Sequence, residues 1–397
     1  MTTLISFLGK GRLDAQRTGY QETTYRFSAD FARSVAWFGL ALAEHLKPQR
    51  LILVGTRGSM WDVFFERQGN DDDEVLRLME ATEREAVTPD LLDLPRQRLG
   101  RQLGIPVVCL LIPYARDTAE QVHILHDLAA VVCPGERLCL DLTHGFRHLP
   151  MLALVAARYL ERVAGVEIEE LYYGAYDMRN SAGETPVLPL RGLLTMLDWV
   201  DALATYDKDG DYGVFAPLLA ADGMATGSAQ GLAQAAYFER TSNPVAAQKV
   251  LNEVFSAVDE HPGQLGALFR ETLKERISWF RGAQREDWEL SLAAAYLERR
   301  DYLRAATFLY EAFITRACKQ QGLVDPDGFG NRKRAYKAAS KTTPKLRQLV
   351  DLRNALAHGV RPHTAESERV LADEDRLRSR LQGLRRALFP PGAGSTS

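Results

Sequence analysis

Short apolar runs, each closed by a glycine- or proline-containing turn and followed by a helical pattern, recur through the first half of this chain and leave few folds open. Leu4–Leu8, Arg50–Gly55 (RLILVG), Pro106–Pro113 (PVVCLLIP), Arg137–Leu142 (RLCLDL) and Glu167–Tyr173 (EIEELYY) read as strands. Between them, helical spacing covers Ala29–His45, a stretch entered through acidic Asp71-Asp72-Asp73-Glu74, Thr118–Val131 and Leu149–Val163. Strands that are apolar on both faces and alternate with helices belong to a mostly parallel sheet covered on both sides. A Rossmann-like α/β domain is therefore expected over residues 1–185.

After Thr185-Pro186 the character changes. Residues 191–206 form an amphipathic pattern, so 186–210 is read as a connecting helix and 211–390 as an all-α domain, with 391–397 a disordered tail. The expected helices include Leu232–Glu239, Ala246–Val258, Gln264–Phe280, Trp288–Arg299, Tyr302–Cys318, Pro344–His358 and Glu366–Phe389. No apolar run approaches the ~18 residues of a membrane span, and the N-terminus lacks the basic residue and length of a signal peptide. Cys109, Cys133, Cys139 and Cys318 show neither metal-ligand nor disulfide spacing. A cytoplasmic protein without a metal or membrane partner is expected.

Charge is distributed unevenly. Residues 301–397 hold 18 Lys and Arg against 10 Asp and Glu, a surplus of eight positive charges, while the rest of the chain carries eleven negative. Such asymmetry suits a polyanion partner at the basic end. Arg332, Lys333, Arg334 and Lys337, continued by Lys341 and Lys345, are the candidate RNA-binding residues.

Downstream, Thr342-Thr343-Pro344 supplies a helix start and Gly359 a stop. The intervening helix ends on DLRNALAHG, with Asn354 and His358 on one face and Arg353 about 140° round from His358 on ideal geometry. A histidine that titrates near neutrality suits proton transfer at a ribose 2′-hydroxyl or a leaving oxygen. A permanently charged, bidentate arginine suits phosphate. Asn354 suits holding the histidine or a phosphate oxygen. On spacing alone, the commoner arrangement is a histidine resting on its own helix dipole and an arginine in a surface ion pair.

Three loops follow strand ends, where open α/β sheets bind ligands: Gly9-Lys10-Gly11, Thr56-Arg57-Gly58-Ser59 and Thr143-His144-Gly145-Phe146-Arg147. Their glycines permit close backbone approach, and Lys10, Arg57 and Arg147 offer cations for phosphate. GKG lacks the third glycine of a dinucleotide fingerprint. His144 fits either ligand binding or loop scaffolding. His123 and His126 lack a third ligand, and Trp61 is expected to pack.

RNALAH at 353–358 resembles the R-x4-H signature of HEPN ribonucleases, and Tyr302–Ala317 resembles the earlier long helix of that fold. LISFLGKG, LILVGTRGSMWD and LDLTHGFRHLP, with Asp141–Gly145 as the D-x-T-H-G motif, resemble the CRISPR-associated DxTHG family across essentially the whole chain. That resemblance implies a CARF domain followed by a HEPN domain. It implies a cyclic oligoadenylate activator (tetra-adenylate ahead of hexa-adenylate), no cofactor, and a homodimer or larger homo-oligomer. The implied activity is metal-independent cleavage of single-stranded RNA by 2′-hydroxyl attack, with Arg353, Asn354 and His358 from each protomer. Two alternatives stay open: a nucleotide-sensing regulator without catalysis, and a ring nuclease in which the N-terminal loops degrade the activator.

Overall fold

A computed structural model describes residues 1–10, 21–69, 72–146, 148–323 and 325–390. It divides into two compact units, Met1–Thr195 and Met196–Ser397. Gly11, Arg147 and the tail 391–397 lie outside the described residues.

Among the described residues, the first unit is built on eight strands: β1 (Thr2–Leu8), β2 (Thr23–Arg26), β3 (Ala32–Val35), β4 (Arg50–Gly55), β5 (Val107–Leu111), β6 (Arg137–Asp141), β7 (Glu167–Gly174) and β8 (Glu184–Pro189). They line up in the order β3-β2-β8-β7-β6-β1-β4-β5. The pairs β7–β6, β6–β1, β1–β4, β4–β5 and β2–β8 are parallel, whereas β2–β3 and β7–β8 are antiparallel. This is the mostly parallel α/β architecture that the apolar runs predict. β1 and β4 bury almost every side chain, as strands covered on both faces must. Leu4, Leu8, Phe38, Leu51, Leu53 and Trp61 belong to the principal core.

The N-terminal part of the expected helix Ala29–His45 is not helical. Ala32–Val35 pairs with Thr23–Arg26 as a hairpin, and the helix begins only at Phe38. The helix-like spacing of aromatic residues arises because the hairpin folds back on itself: Phe27 stacks on Phe38 and His45, and Phe31 lies against both Phe27 and His45. β8 has no counterpart among the expected strands, and it spans residue 185, the expected domain end. Its buried Thr185 shares a hydroxyl contact of 2.8 Å with Thr23.

The second unit is all-helical, as expected. Arg191–Asp209 forms one helix across the expected connector, followed by Ala216–Ala221, Thr226–Arg240, Pro244–Asp259, Gln264–Ile277, Arg285–Glu298, Tyr302–Gln320, Phe329–Thr342, Pro344–His358, Ala365–Leu371 and Glu374–Leu388. One core gathers Trp199, Tyr212, Phe215 and Leu232; another gathers Tyr296, Phe308, Leu349, Leu352 and Leu381. The expected single helix over 366–389 is broken at Asp373, whose carboxylate caps the next helix by accepting from the Arg376 amide at 2.8 Å. An Asx cap inside an acidic stretch is easily mistaken for helix surface.

Candidate functional site

β1 lies between β4 on one side and β6 on the other, and runs parallel to both. The loops after these three strands therefore gather at one edge, around a topological switch point. Their polar residues form a connected frame. Buried Ser6 on β1 donates to Asp141 at the end of β6. The other oxygen of that carboxylate accepts from the Thr143 amide at 2.8 Å, and the Thr143 hydroxyl accepts from the Gly174 amide at 2.8 Å. Burial pushes Asp141 up to about 6, against the hydrogen bonds from Ser6 and Thr143 that pull it down.

His144 is turned inward. Its Nε2 accepts from the Phe38 amide at 3.1 Å, and burial lowers its pKa to about 3. It is thus neutral near pH 7, with a lone pair on Nε2. Gly145 follows at φ 120°, a left-handed conformation that disfavours any side chain.

The β4 loop is tied to the β1 loop in the same way. The Ser59 hydroxyl donates to the Leu8 carbonyl at 2.7 Å and accepts from the Thr56 amide at 2.9 Å. The Met60 amide donates to the Gly9 carbonyl at 3.0 Å, and Trp61 Nε1 donates to the Thr56 carbonyl at 2.9 Å. Thr56 and Ser59 are both fully buried. Trp61 packs in the core, as expected.

Arg57 remains exposed. It borders a cavity of about 630 Å³ with Pro89, Pro113, Tyr114, Glu120 and His123. Lys10 is half-exposed and lies 3.5 Å from Glu85. Gly58 is required by a close approach, because a Cβ there would meet the Tyr114 hydroxyl at 2.6 Å. Phe146 lies 5.8 Å from the Tyr114 ring. Tyr114 and Glu120 are not among the residues expected from sequence, although Tyr114 follows β5 and obeys the same strand-end rule.

In the second unit, Pro344 opens the Pro344–His358 helix, and Gly359 closes it at φ 63°, its amide donating to the Ala355 carbonyl at 2.9 Å. The expected Thr343 side-chain cap is not made; proline in the first turn removes one donor that a cap would satisfy. Arg353 Nε and Nη2 donate to Asn354 Oδ1 at 3.2 and 2.7 Å, and its guanidinium stands 4.6 Å from the Tyr310 ring centroid. His358 is exposed in the last turn. The helix rests on Leu346, Leu349, Leu352 and Ala355, all buried.

After Gly359 the chain folds back onto this helix. Asp351 accepts from the His363 amide at 2.8 Å and lies 3.5 Å from the Thr364 hydroxyl. Burial alone would raise the Asp351 pKa, but the His363 amide, the Ser367 and Thr364 hydroxyls and the His363 charge bring it below the usual value. His363, not singled out from sequence, thereby joins Asn354, Gln348 and Tyr336 around a cavity of about 580 Å³.

The basic run divides. Arg332 is largely buried and pairs with Glu311, with further hydrogen bonds to the Pro326 carbonyl at 2.8 Å and the Thr315 hydroxyl at 3.3 Å. Thr315 in turn donates to buried Glu289. Lys333, Arg334 and Lys337 are exposed on the Phe329–Thr342 helix. Arg332 anchors the helix that presents the other three.

Residues 3–177 match the family described as "CRISPR system endoribonuclease Csx1, CARF domain". That stretch, within the first unit, is similar to a CARF domain. The CRISPR-associated protein MJ1674 of Methanocaldococcus jannaschii is 24% identical over 242 residues, which cover 55% of this chain. The alignment spans 38% of that relative's length. Enterococcus italicus Csm6 bound to cyclic hexa-2′-fluoro-hexa-dAMP aligns over 98% of this chain and 95% of its own, at 12% identity and a TM-score of 0.37.

Within the CARF unit, the structure brings Gly9, Lys10, Thr56, Arg57, Gly58, Ser59, Thr143, His144, Gly145 and Phe146 to one end of the sheet, with Thr56 bonded to Ser59, Thr143 to Asp141 and Gly174, and His144 to Phe38. In the helical unit, Arg353 and Asn354 touch each other, while His358 stands one turn beyond Asn354. Among the described residues, no helix is long and apolar enough to cross a membrane. Among them too, no group of three or more His, Cys, Asp or Glu residues is placed to hold a metal.

Proposed function

We propose that this CARF-containing protein is an endoribonuclease that acts on single-stranded RNA without a metal ion and is switched on by a cyclic oligoadenylate. The observation that carries the reading is the Arg353 guanidinium held by Asn354 and Tyr310, near exposed His358 on the same helix. A cation fixed by neighbours loses little freedom on meeting a phosphate, and its charge is available as the transition state gains charge. An imidazole open to solvent can carry a proton to or from a reacting oxygen.

In the proposed reaction the 2′-hydroxyl gives up its proton and attacks the adjacent phosphorus. The bond to the 5′-oxygen of the next nucleotide breaks, and that oxygen takes a proton. The products are a 2′,3′-cyclic phosphate and a 5′-hydroxyl. His358 performs a proton transfer, Arg353 holds the phosphate oxygens and Asn354 keeps Arg353 in place. On an ideal helix Arg353 and His358 point about 140° apart, so one copy presents half of a site. A homodimer with a two-fold axis would bring the two halves together.

Activation belongs to the CARF unit. Arg57 and Lys10 are its described cations for the phosphates, and the hydrogen bonds that link buried Thr56 to Ser59 and Ser59 to the β1 end fix the loops that carry them. A cyclic ligand that binds one arrangement of the dimer better than another shifts the population towards it. Cyclic tetra-adenylate is the first activator to test, followed by the hexa-adenylate.

The test is cleavage of a labelled single-stranded RNA in EDTA, with and without each cyclic oligoadenylate, by the intact chain and by His358→Ala. Activator-dependent cutting that His358→Ala abolishes supports the proposal. Cutting that survives His358→Ala removes the site assignment. Activator binding without any RNA cleavage would make the protein a regulator, and loss of activator in the His358→Ala protein would make the CARF unit a ring nuclease.

A further inference from the structure

The cavity beside Asn354 does not end there. Lys345 and Glu366 line both it and a second cavity of about 740 Å³, which is also bordered by Arg369, Arg376 and Arg380. From Asn354 back to Lys345 is nine residues, about 13 Å along the helix axis. The two cavities adjoin at Lys345 and Glu366, one reaching Asn354 and the other lined by residues of the Ala365–Leu371 and Glu374–Leu388 helices, and we treat them together as a groove.

The chemistry of the outer part is one-sided. Its lining holds four cations, Lys345, Arg369, Arg376 and Arg380, and one carboxylate, Glu366. Arg380 spends itself on that carboxylate at 2.7 Å and on the Gln348 side chain at 3.3 Å. The cationic surroundings hold Glu366 below the usual carboxylate range, Arg380 first and Lys345 as a smaller contributor. Arg369 and Arg376 are exposed and make no ion pair among the described residues. Ser379, Gly383 and Ala387 recur every four residues along the floor, and a Cβ added at Gly383 would meet nothing within 4 Å.

We infer that this groove is a track for the phosphate backbone of single-stranded RNA, leading the strand to Asn354 and the end of its helix. The inference rests on the ribonuclease reading and adds where the substrate lies. A small-residue floor with cations on its rim admits a flexible polyanion and leaves its phosphates within reach of guanidinium groups. A second copy of the same face is a poor occupant. A two-fold contact is self-complementary, and it would set two surfaces of the same excess charge against each other.

The test is equilibrium binding of a short fluorescent single-stranded RNA to the full-length His358→Ala protein across a salt series. Replacing Arg369 and Arg376 together by Gln is expected to weaken binding and reduce the slope of log K against log salt by about 1.4, since each phosphate contact on a single strand contributes ~0.7. Arg385→Gln with Arg386→Gln removes the same charge from exposed positions of the Glu374–Leu388 helix outside the groove lining, and is expected to change the slope less. Gly383→Phe fills the floor without altering charge and is expected to weaken binding at every salt concentration.

Equal effects of the two arginine pairs, or no effect of Gly383→Phe, would overturn the track. So would unchanged RNA binding accompanied by dissociation of a homodimer. RNA that binds through the groove and is never cut by the unmutated chain would leave the track standing and remove the nuclease reading. RNA that is cut while every groove variant binds it normally would do the reverse.

Discussion

Arg353 reaches sideways to Asn354 on its own helix, donating twice to Oδ1, while its guanidinium stacks over Tyr310 from the Tyr302–Gln320 helix. The neighbouring asparagine and a ring from another helix thus set the aim of the cation. A lysine carries the charge but neither the planar fork nor the stack. Arg353→Lys is therefore expected to lower RNA cleavage about 10²-fold or more, in the range seen when one donor to a developing oxyanion is lost. Asn354→Ala should reduce kcat by a smaller factor while RNA affinity changes little. A single-turnover rate within twofold of the unmutated protein for Arg353→Lys would show that the fork is irrelevant.

In the CARF unit, His144 is expected to act through the fold. His144→Ala leaves the Phe38 amide without its acceptor, a loss of about 1–3 kcal/mol for a buried donor. In a unit of this size that lowers the melting temperature by about 2–4 °C per kcal/mol. His144→Gln, which keeps an acceptor, should recover part of it. A melting temperature unchanged by His144→Ala, together with lost activator binding, would instead make His144 a ligand contact.

What the sequence made legible follows from how local each signal is. Pro344 and Gly359 set the ends of the Pro344–His358 helix from within the segment itself, through fixed φ at one end and a left-handed turn at the other. The parallel strands announced themselves because burial on both faces demands continuous apolar runs. β2, β3 and β8 carry no such runs, and Thr23 meets Thr185 across a separation of 162 residues, so nothing local encodes the pairing. The loops were placed at the right strand ends, yet the inward turn of Thr56 and Ser59 depends on the Leu8 and Gly9 carbonyls of another strand's loop. Tyr310 beneath Arg353, and the groove beyond Asn354, exist only once separate helices have packed.

Arg57 is exposed at the strand ends and borders the 630 Å³ cavity, whereas Lys10 has Glu85 within 3.5 Å. If both face the activator's phosphates, Arg57 supplies the less compensated charge. Arg57→Ala is expected to weaken activator binding by about 10–100-fold, the loss of one hydrogen bond to a charged group at ~1.5–3 kcal/mol. Lys10→Ala should cost less, because it also releases a competing ion pair. Calorimetric titration with cyclic tetra-adenylate at two salt concentrations would check the order, and a larger loss for Lys10→Ala would reverse the assignment.

The helical unit contains a buried carboxyl whose pKa is raised towards neutrality. Glu239 is buried and accepts from the Tyr296 hydroxyl at 2.8 Å. Burial raises its pKa from 4.5 to about 7, opposed by the Tyr296 hydrogen bond and the Arg299 charge. The folded chain therefore holds this proton more tightly than the unfolded one. Its contribution to stability is fully present below about 4.5 and is lost as pH rises through about 7. Glu239→Gln, which preserves a neutral acceptor for Tyr296, should flatten this component. Denaturant midpoints measured for both proteins at pH 5 and pH 8 are expected to show the variant gaining relative to the unmutated chain at pH 8. The gain should be on the order of 1.4 kcal/mol for every tenfold by which folding tightens proton binding at Glu239. A difference between the two proteins that stays constant across that range would mean Glu239 is ionised throughout, with Arg299 outweighing its burial.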